Sequence, residues 1–293
     1  MKKYQSALWV ALGLLLMLGL AGDGIRVLEK TEEKPEQGLD MPETPAPPQE
    51  YGLYAGISRE LRYNLSAQDG RQGKKAPAMK RKDVYTFLQG PKSWEEKLPW
   101  SGEWCRFQVE GNPFGGFGCG LCCMANIYNT LSPYEVSPLD MFEYAKGVSD
   151  YAPAGEAGAI GWQDMADSLE SCGFSVKLCR KPHAYKVFQK QMSKVKSAIV
   201  LVSSSEDDTF WQDTPGHYVN IWLYRAKDDM VFLAEPGDPD RNRTWIPLRY
   251  VYDALKTRSQ YHYLLVESYE EEENQWKADG IQIEWNRPKE KTD

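Results

Sequence analysis

Two β-prone segments separated by a short polar turn constrain the fold most strongly. Residues 217–224 alternate between two faces, which is typical of a strand. One predicted face carries His217, Val219, Ile221 and Leu223, and the other carries Tyr218, Asn220, Trp222 and Tyr224. The run 226–229 predicts a turn, and 230–234 predicts a returning strand. The chain is therefore expected to form an antiparallel hairpin that brings His217 beside the residues around Glu235.

Helical and strand patterns continue over 83–269. Apolar residues at helical spacing predict four helices, starting near Cys119, Trp162, Tyr185 and Pro247. Other β-prone runs predict strands over 174–179, 198–202 and 261–267, of which 198–202 is continuously apolar, as in a central strand. Helices come first and mostly antiparallel strands follow. The sequence therefore predicts an α+β fold, with a helical half packed on a sheet.

The chain ends are predicted to lie outside this domain. Residues 1–22 are expected to be a signal peptide, because the apolar run over 7–22 is shorter than the roughly 20 residues of a spanning helix. An uncleaved N-terminal membrane anchor is the alternative. Residues 23–82 are rich in Pro, Glu and Lys and are expected to be a spacer, and 270–293 a polar acidic tail. We expect the domain to be extracellular, either secreted or tethered to the membrane through its N-terminal segment alone.

Composition narrows the possible partners and cofactors. The 35 Lys+Arg and 42 Asp+Glu residues give a net charge of −7, which argues against a nucleic-acid partner. A multi-histidine metal site would need nearly all of the three histidines. No second cysteine pair matches the spacing of Cys119 and Cys122, which disfavours zinc. We therefore expect no metal and no cofactor, and the sequence sets no oligomeric state.

Cys119 is the candidate nucleophile. It lies in the glycine-rich segment FGGFGCG (114–120), which runs straight into the first strong helix. Unpaired backbone N–H groups and the helix dipole favour a thiolate at such a position. A structural thiol or half of a disulfide is the alternative, with Cys105, Cys172 and Cys179 as possible disulfide residues. Cys122 and Cys123 are expected to pack inside the helix as small apolar groups.

His217 is the candidate base. A nucleophilic cysteine needs a base within hydrogen-bond reach, and the base needs an acceptor that orients it. The predicted hairpin supplies an acidic group beside His217, whereas His183 and His262 have no comparable neighbour. The acidic group is Glu235 or Asp238, each of which is followed by proline.

These motifs together resemble a known family. The Gly118-Cys119-Gly120 helix start, the helix at Trp162 that ends in Gly173, the segment GHYVNI (216–221) and Ala234-Glu235-Pro236 are similar to the bacteriocin-processing, "peptidase C-thirty-nine-like" cysteine peptidases, in their stand-alone secreted form from Gram-positive bacteria. The resemblance covers about 83–269. It implies a papain-like fold and peptide-bond cleavage by a Cys-His pair with an orienting third residue.

The resemblance assigns roles to particular residues and departs from the family at two points. It implies Cys119 as nucleophile and His217 as base. The family has Asp where this chain has Glu235, which leaves Asp238 as the alternative orienting residue. The family also binds the oxyanion with a glutamine close before the cysteine. This chain has none at that spacing, and Gln89 is preferred, with Gln108 and Asn112 as alternatives.

We therefore expect an extracellular cysteine peptidase, a hydrolase that acts on peptides or on cell-wall peptides. Two alternatives stay open. One is a cell-wall amidase or endopeptidase with Cys-His chemistry. The other is an inactive papain-like module that presents its cleft to a partner.

Overall fold

The computed structural model describes residues 79–153 and 158–289, in which the main helices precede most of the sheet. The helices are α1 (Pro91–Glu95), α2 (Phe114–Phe117), α3 (Cys119–Leu131), α4 (Pro138–Val148), α5 (Trp162–Ser171), α6 (Tyr185–Met192) and α7 (Leu248–Ala254). The strands are β1 (Gln108–Val109), β2 (Asn112–Pro113), β3 (Cys172–Cys179), β4 (Ser197–Val202), β5 (His217–Arg225), β6 (Met230–Ala234), β7 (Trp245–Pro247) and β8 (Tyr263–Asn274). The predicted helices and strands are each present, and the α+β class is confirmed.

One antiparallel sheet of six strands organises the domain. Its strand order is β3-β8-β4-β5-β6-β7, and β1 and β2 form a separate two-stranded ribbon. Every residue of β4 is buried, which confirms that 198–202 is a central strand. The register of β4 against β5 pairs Val202 with His217, so His217 lies where β5 enters the sheet.

The sheet separates two apolar cores. Ile199 and Leu201 of β4 face the helical half, together with most of α3. Ala198, Val200 and Val202 face the opposite side, where α6 and α7 pack. Burial of each large apolar side chain contributes about 1.5–3 kcal/mol. Burial on both faces therefore fixes β4, and β5 is held beside it.

Strand β5 follows the predicted alternation as far as Trp222. Tyr218 and Trp222 pack in the helical core. Val219 and Ile221 pack in the opposite core. Pairing with β6 becomes irregular beyond Trp222, and Leu223 has a φ of 52°. This bulge turns Leu223 toward the helical core, so the prediction that it shares a face with Val219 is wrong.

The domain extends further along the chain than predicted. Strand β8 continues beyond Tyr269, and Trp276 stacks on Tyr144 with ring centroids 4.1 Å apart. The expectation of a polar tail from residue 270 is therefore wrong for 270–289. The physical reason is that a few aromatic side chains anchor a segment whose other residues are mostly charged or polar.

The predicted N-terminal segment, 1–22, lies outside the described residues, as do residues 23–78 of the predicted spacer. Within 79–153 and 158–289, no helix is both long enough and apolar enough to cross a bilayer.

Trp285 provides a test of the C-terminal packing. Its ring lies 5.6–6.5 Å from four aromatic rings near the start of the domain, those of Tyr85, Phe87, Trp100 and Trp104. Trp285→Ala is expected to lower the free energy of unfolding by roughly 2–4 kcal/mol, because it empties this cluster. Gln282→Ala, at an exposed position of the same segment, should change it by less than about 0.5 kcal/mol. Urea unfolding of the full chain measures both, and equal midpoints would contradict an anchoring role for Trp285.

Candidate active site

Cys119 is the first residue of α3, and the segment 114–117, which was predicted to be a loop, forms the short helix α2. Gly118 joins α2 to α3, and a Cβ atom there would come within 2.3 Å of the Phe114 ring. The tight connection therefore requires glycine at this position. It places the Cys119 thiol at the positive end of a helix of 13 residues, where an anion is favoured.

A buried amide pair holds α3 against β5. Asn126 of α3 donates through Nδ2 to Oδ1 of Asn220 on β5 at 3.0 Å. Its own Oδ1 accepts the backbone N–H of Phe87 at 2.8 Å. A buried amide–amide hydrogen bond fixes orientation as well as distance, although Nδ2 of Asn220 has no hydrogen-bond partner among the described residues. The pair therefore sets the helix that carries Cys119 in register with the strand that begins at His217.

Cys119, His217 and Glu235 lie together in one site. Nε2 of His217 bonds to Oε1 of Glu235, and the His217 ring lies close enough to the Cys119 thiol to shift its pKa. Since Nε2 faces the carboxylate, the other ring nitrogen, Nδ1, is the one available to sulfur. The side chain of His217 is 14% exposed and that of Glu235 is 2% exposed, so one end of the site opens toward solvent and the other is closed.

The carboxylate of Glu235 accepts three hydrogen bonds. Besides His217, the backbone N–H of Gly237 donates to Oε1 at 3.0 Å, and the indole N–H of Trp211 donates to Oε2 at 2.9 Å. The backbone N–H of Glu235 donates to Oδ1 of Asn242 at 3.1 Å. Both carboxylate oxygens are thus occupied, which fixes the carboxylate that faces the imidazole.

The three ionisable groups shift one another's pKa values. Burial would raise the pKa of the Cys119 thiol, but the hydrogen bond and charge of His217 hold it below its ordinary value. Backbone N–H groups of Tyr218 and Gly120 act in the same direction. Burial would lower the pKa of His217, but the negative charge of Glu235 and the bonds to Cys119 and Glu235 raise it well above its ordinary value. The arrangement favours a thiolate beside an imidazolium.

The pKa of Glu235 is also lowered, although burial alone would raise it. Desolvation would raise the pKa of this carboxyl, whereas the charge of His217 and the bonds from His217, Trp211 and Gly237 hold it below its usual range. Glu235 is therefore ionised at neutral pH and supplies the negative charge that the imidazolium needs.

The other cysteines differ from Cys119. All six cysteines lie among the described residues, and all are free and buried. Burial raises the pKa of Cys105 to about 11 and raises the pKa values of Cys122 and Cys123 well above the ordinary thiol value. The expectation that Cys122 and Cys123 pack as small apolar groups is confirmed. The alternative of disulfides is not realised in this structure.

The alternative site residues lie elsewhere. Asp238 accepts the backbone N–H groups of Asp240 and Arg241, and its carboxylate pairs with the Arg241 guanidinium at 3.2 Å. The carboxylate that bonds to His217 is that of Glu235, so the structure favours Glu235 over Asp238. Gln108 is exposed on β1, and Asn112 lies on β2.

Gln89 lies next to the glycine-rich loop. Its Nε2 donates to the carbonyl of Gly115 at 2.7 Å, and its backbone N–H donates to the carbonyl of Pro236 at 2.9 Å. It therefore connects the segment before Cys119 to the residue after Glu235. Its Oε1 is buried and has no hydrogen-bond partner among the described residues. A buried unpaired acceptor costs about 1–3 kcal/mol, so the orientation of this amide is held by its other contacts.

Trp211 was not among the predicted site residues. No spacing signal links it to Glu235, because it lies in the long connection between β4 and β5, outside any regular element.

Metal binding has no comparable support: within 79–153 and 158–289, no group of three or more His, Cys, Asp or Glu side chains could hold an ion. No protein-family model matches the chain, and no curated protein is significantly similar to it.

Proposed function

We propose that this protein is a cysteine peptidase with a papain-like arrangement of its two halves. The observation that carries the proposal is the site in which His217 bonds to the Glu235 carboxylate and lies beside the Cys119 thiol. A nucleophile at a helix start, a base on a facing strand and an acceptor just after the next strand form the arrangement that thiol catalysis needs. A helical half packed on an antiparallel sheet is the architecture that a papain-like fold requires.

Cys119 and His217 together account for both steps of the hydrolysis, the formation of a thioester and its breakdown by water. The Cys119 thiolate attacks the carbonyl carbon of the scissile bond and forms a tetrahedral oxyanion. The His217 imidazolium gives its proton to the leaving amine as the C–N bond breaks, which leaves a thioester on Cys119. Neutral His217 then takes a proton from water, whose oxygen attacks the thioester. Collapse of the second intermediate releases the acid and restores the thiolate and imidazolium.

Gln89 is the side chain we assign to the developing oxyanion. An amide nitrogen carries two N–H groups, and Gly115 accepts from Nε2 of Gln89. Its second N–H can donate to an oxyanion formed at Cys119, together with backbone N–H groups at the start of α3. The contacts of Gln89 with Gly115 and Pro236 place it beside both halves of the site.

The substrate class and location form part of the same proposal. A short apolar N-terminal run followed by a Pro- and Glu-rich stretch supports export and tethering or secretion. We propose that the domain acts outside the cell on peptides or on the peptide parts of the cell wall. Incubation of the full chain with peptide libraries and with peptidoglycan, followed by mass spectrometry of the products, tests this assignment.

The pH dependence of Cys119 alkylation tests the catalytic pair without any assumption about substrate. The rate of iodoacetamide modification should rise with pH at values well below those of an ordinary thiol, because imidazolium stabilises the thiolate. A second change should follow above the ordinary histidine range, where His217 loses its proton. Cys119→Ala protein supplies the background from the other thiols. A Cys119 that reacts with the pH profile of free cysteine would contradict catalysis and favour a binding module.

A further inference from the structure

Trp211 is buried against the carboxylate that faces His217. Its side chain is 2% exposed, and its indole N–H donates to Oε2 of Glu235 at 2.9 Å. Buried tryptophans usually satisfy their single N–H donor, and a backbone carbonyl would suffice for that purpose. Here the acceptor is instead an ionised carboxylate, which makes the bond charge-assisted and stronger than a neutral one.

The hydrogen bond from Trp211 limits the rotation of the Glu235 side chain. A glutamate has one more rotatable bond than an aspartate, so its carboxylate can swing away from a neighbouring imidazole. In Glu235 one oxygen serves His217 and Gly237, and the other oxygen serves Trp211. The indole therefore fixes the rotation of the carboxylate about its last bond. Without it, Oε2 would be buried with no donor, and only the bonds to Oε1 would hold the carboxylate toward His217.

The loop that carries Trp211 is clasped, that is, held in place, by residues that follow Glu235 in the chain. Phe210 packs edge-on against Trp211, with ring centroids 4.7 Å apart. The guanidinium of Arg241 lies over the Phe210 ring, 4.8 Å from its centroid, and also donates to the Phe210 carbonyl. Arg241 is held in turn by Asp238 at 3.2 Å. The segment after Glu235 thus holds the loop whose indole returns to Glu235.

We propose that Trp211 is a positioning residue, which holds Glu235 so that its carboxylate stays aligned with His217, and that Asp238 and Arg241 support it by clasping its loop. This inference rests on the proposed peptidase function and adds to it a residue that acts through the Glu235 carboxylate. It also explains how a glutamate can serve where the peptidases that this sequence resembles have aspartate.

Several ionisable groups surround Glu235, and a test of Trp211 must leave their charges unchanged. His217 faces the carboxylate from β5, and Cys119 and Cys123 face the site from α3. Asp238 and Arg241 follow Glu235 on its own segment and pair with each other. Trp211 adds no charge, so its removal changes only how well the carboxylate is held. The expected effect is therefore a weaker influence of Glu235 on His217, with no new charge in the site.

Trp211→Phe in the full chain tests the proposal, because phenylalanine keeps an apolar ring and removes the N–H. A lost hydrogen bond to a charged group corresponds to about a 10- to 100-fold lower kcat, with KM little changed. The basic change in the pH profile of Cys119 alkylation should move to lower pH by about one unit, because a poorly held carboxylate stabilises the imidazolium less. Trp104→Phe is the matched control, since Trp104 is also buried but donates to the Leu88 carbonyl.

The outcomes separate this inference from the proposed function. Wild-type Cys119 that alkylates like free cysteine would defeat the peptidase proposal itself. Fast alkylation in the wild type with an unchanged profile in Trp211→Phe would overturn the positioning role alone. If Trp211→Phe does not fold, Arg241→Lys replaces it, because lysine keeps the positive charge beside Asp238 and loses the guanidinium contacts with Phe210. That variant should shift the profile in the same direction by a smaller amount, and no shift in folded Arg241→Lys protein would overturn the positioning role.

Discussion

Replacing Cys119 with alanine is expected to abolish peptide hydrolysis while leaving the fold intact. No other described cysteine combines a lowered pKa with contact to an imidazole, so none can take over the attack. Loss of the nucleophile in a coupled catalytic set lowers kcat/KM by on the order of 10⁴-fold or more. The measurement is the initial rate on the best peptide from the library, for full-length wild type and variant at equal concentration.

Cys122→Ala is the matched control for this substitution. Cys122 lies one helical turn further along α3, is fully buried, and has its pKa raised by burial. It is therefore a structural thiol in the same helix, and its removal should cost about 1 kcal/mol of stability with little change in rate. A Cys119→Ala protein that still hydrolyses the substrate, with Cys122→Ala equally active, would show that the reaction proceeds elsewhere.

Local patterns were sufficient to predict much of the site. A glycine-rich loop at a helix start placed Cys119, because an anion is favoured there whatever the rest of the fold. A hairpin pivot placed His217 and the acidic residues side by side, because antiparallel pairing depends only on the turn and the alternation. Neither inference needed knowledge of how the helical half packs on the sheet.

The choice between Glu235 and Asp238 could not be made from the sequence. Both residues precede proline just after the same strand, and the two differ only in what surrounds them in three dimensions. The structure turns Glu235 inward, where Trp211 and Gly237 donate to it, and engages Asp238 with Arg241. The discriminating contact comes from a residue 24 positions earlier in the chain, for which no periodicity exists.

Two structural features were missed for different reasons. The start of α4 carries a local signal: Ser137 and Asp140 cap each other, and Pro138 opens the helix, so the motif could have located it. The packing of Trp285 carries no such signal. It depends on contacts across almost the whole domain, and composition alone makes its segment resemble a solvated tail.

Replacing Glu235 with glutamine is expected to lower kcat/KM by roughly 10²- to 10⁴-fold. The three donors around this side chain, on His217, Trp211 and Gly237, all point at carboxylate oxygens. An amide offers one oxygen and one NH₂ group, so at least one of these N–H groups would face another donor. The negative charge that keeps His217 protonated would be lost at the same time.

The pH profile of Cys119 alkylation separates the loss of the negative charge from the loss of the hydrogen bonds. The folded-state pKa of His217 is raised, so its imidazolium is favoured up to a pH above the ordinary histidine range. Glutamine removes the main cause of that rise, and the basic change in Cys119 alkylation should move to lower pH. Glu235→Asp keeps the charge but withdraws it by about one carbon–carbon bond, so its profile should move less and its rate should fall less.

Asp238→Asn completes the comparison, because Asp238 is the other acidic residue the sequence offered. Its carboxylate reaches His217 only indirectly, through Arg241, Phe210 and Trp211. Its replacement should therefore produce a smaller loss than Glu235→Gln. A larger loss from Asp238→Asn than from Glu235→Gln would contradict the direct role of Glu235. Equal activity of Glu235→Gln and wild type would mean that His217 needs no anionic partner, and the acidic residue would then serve packing alone.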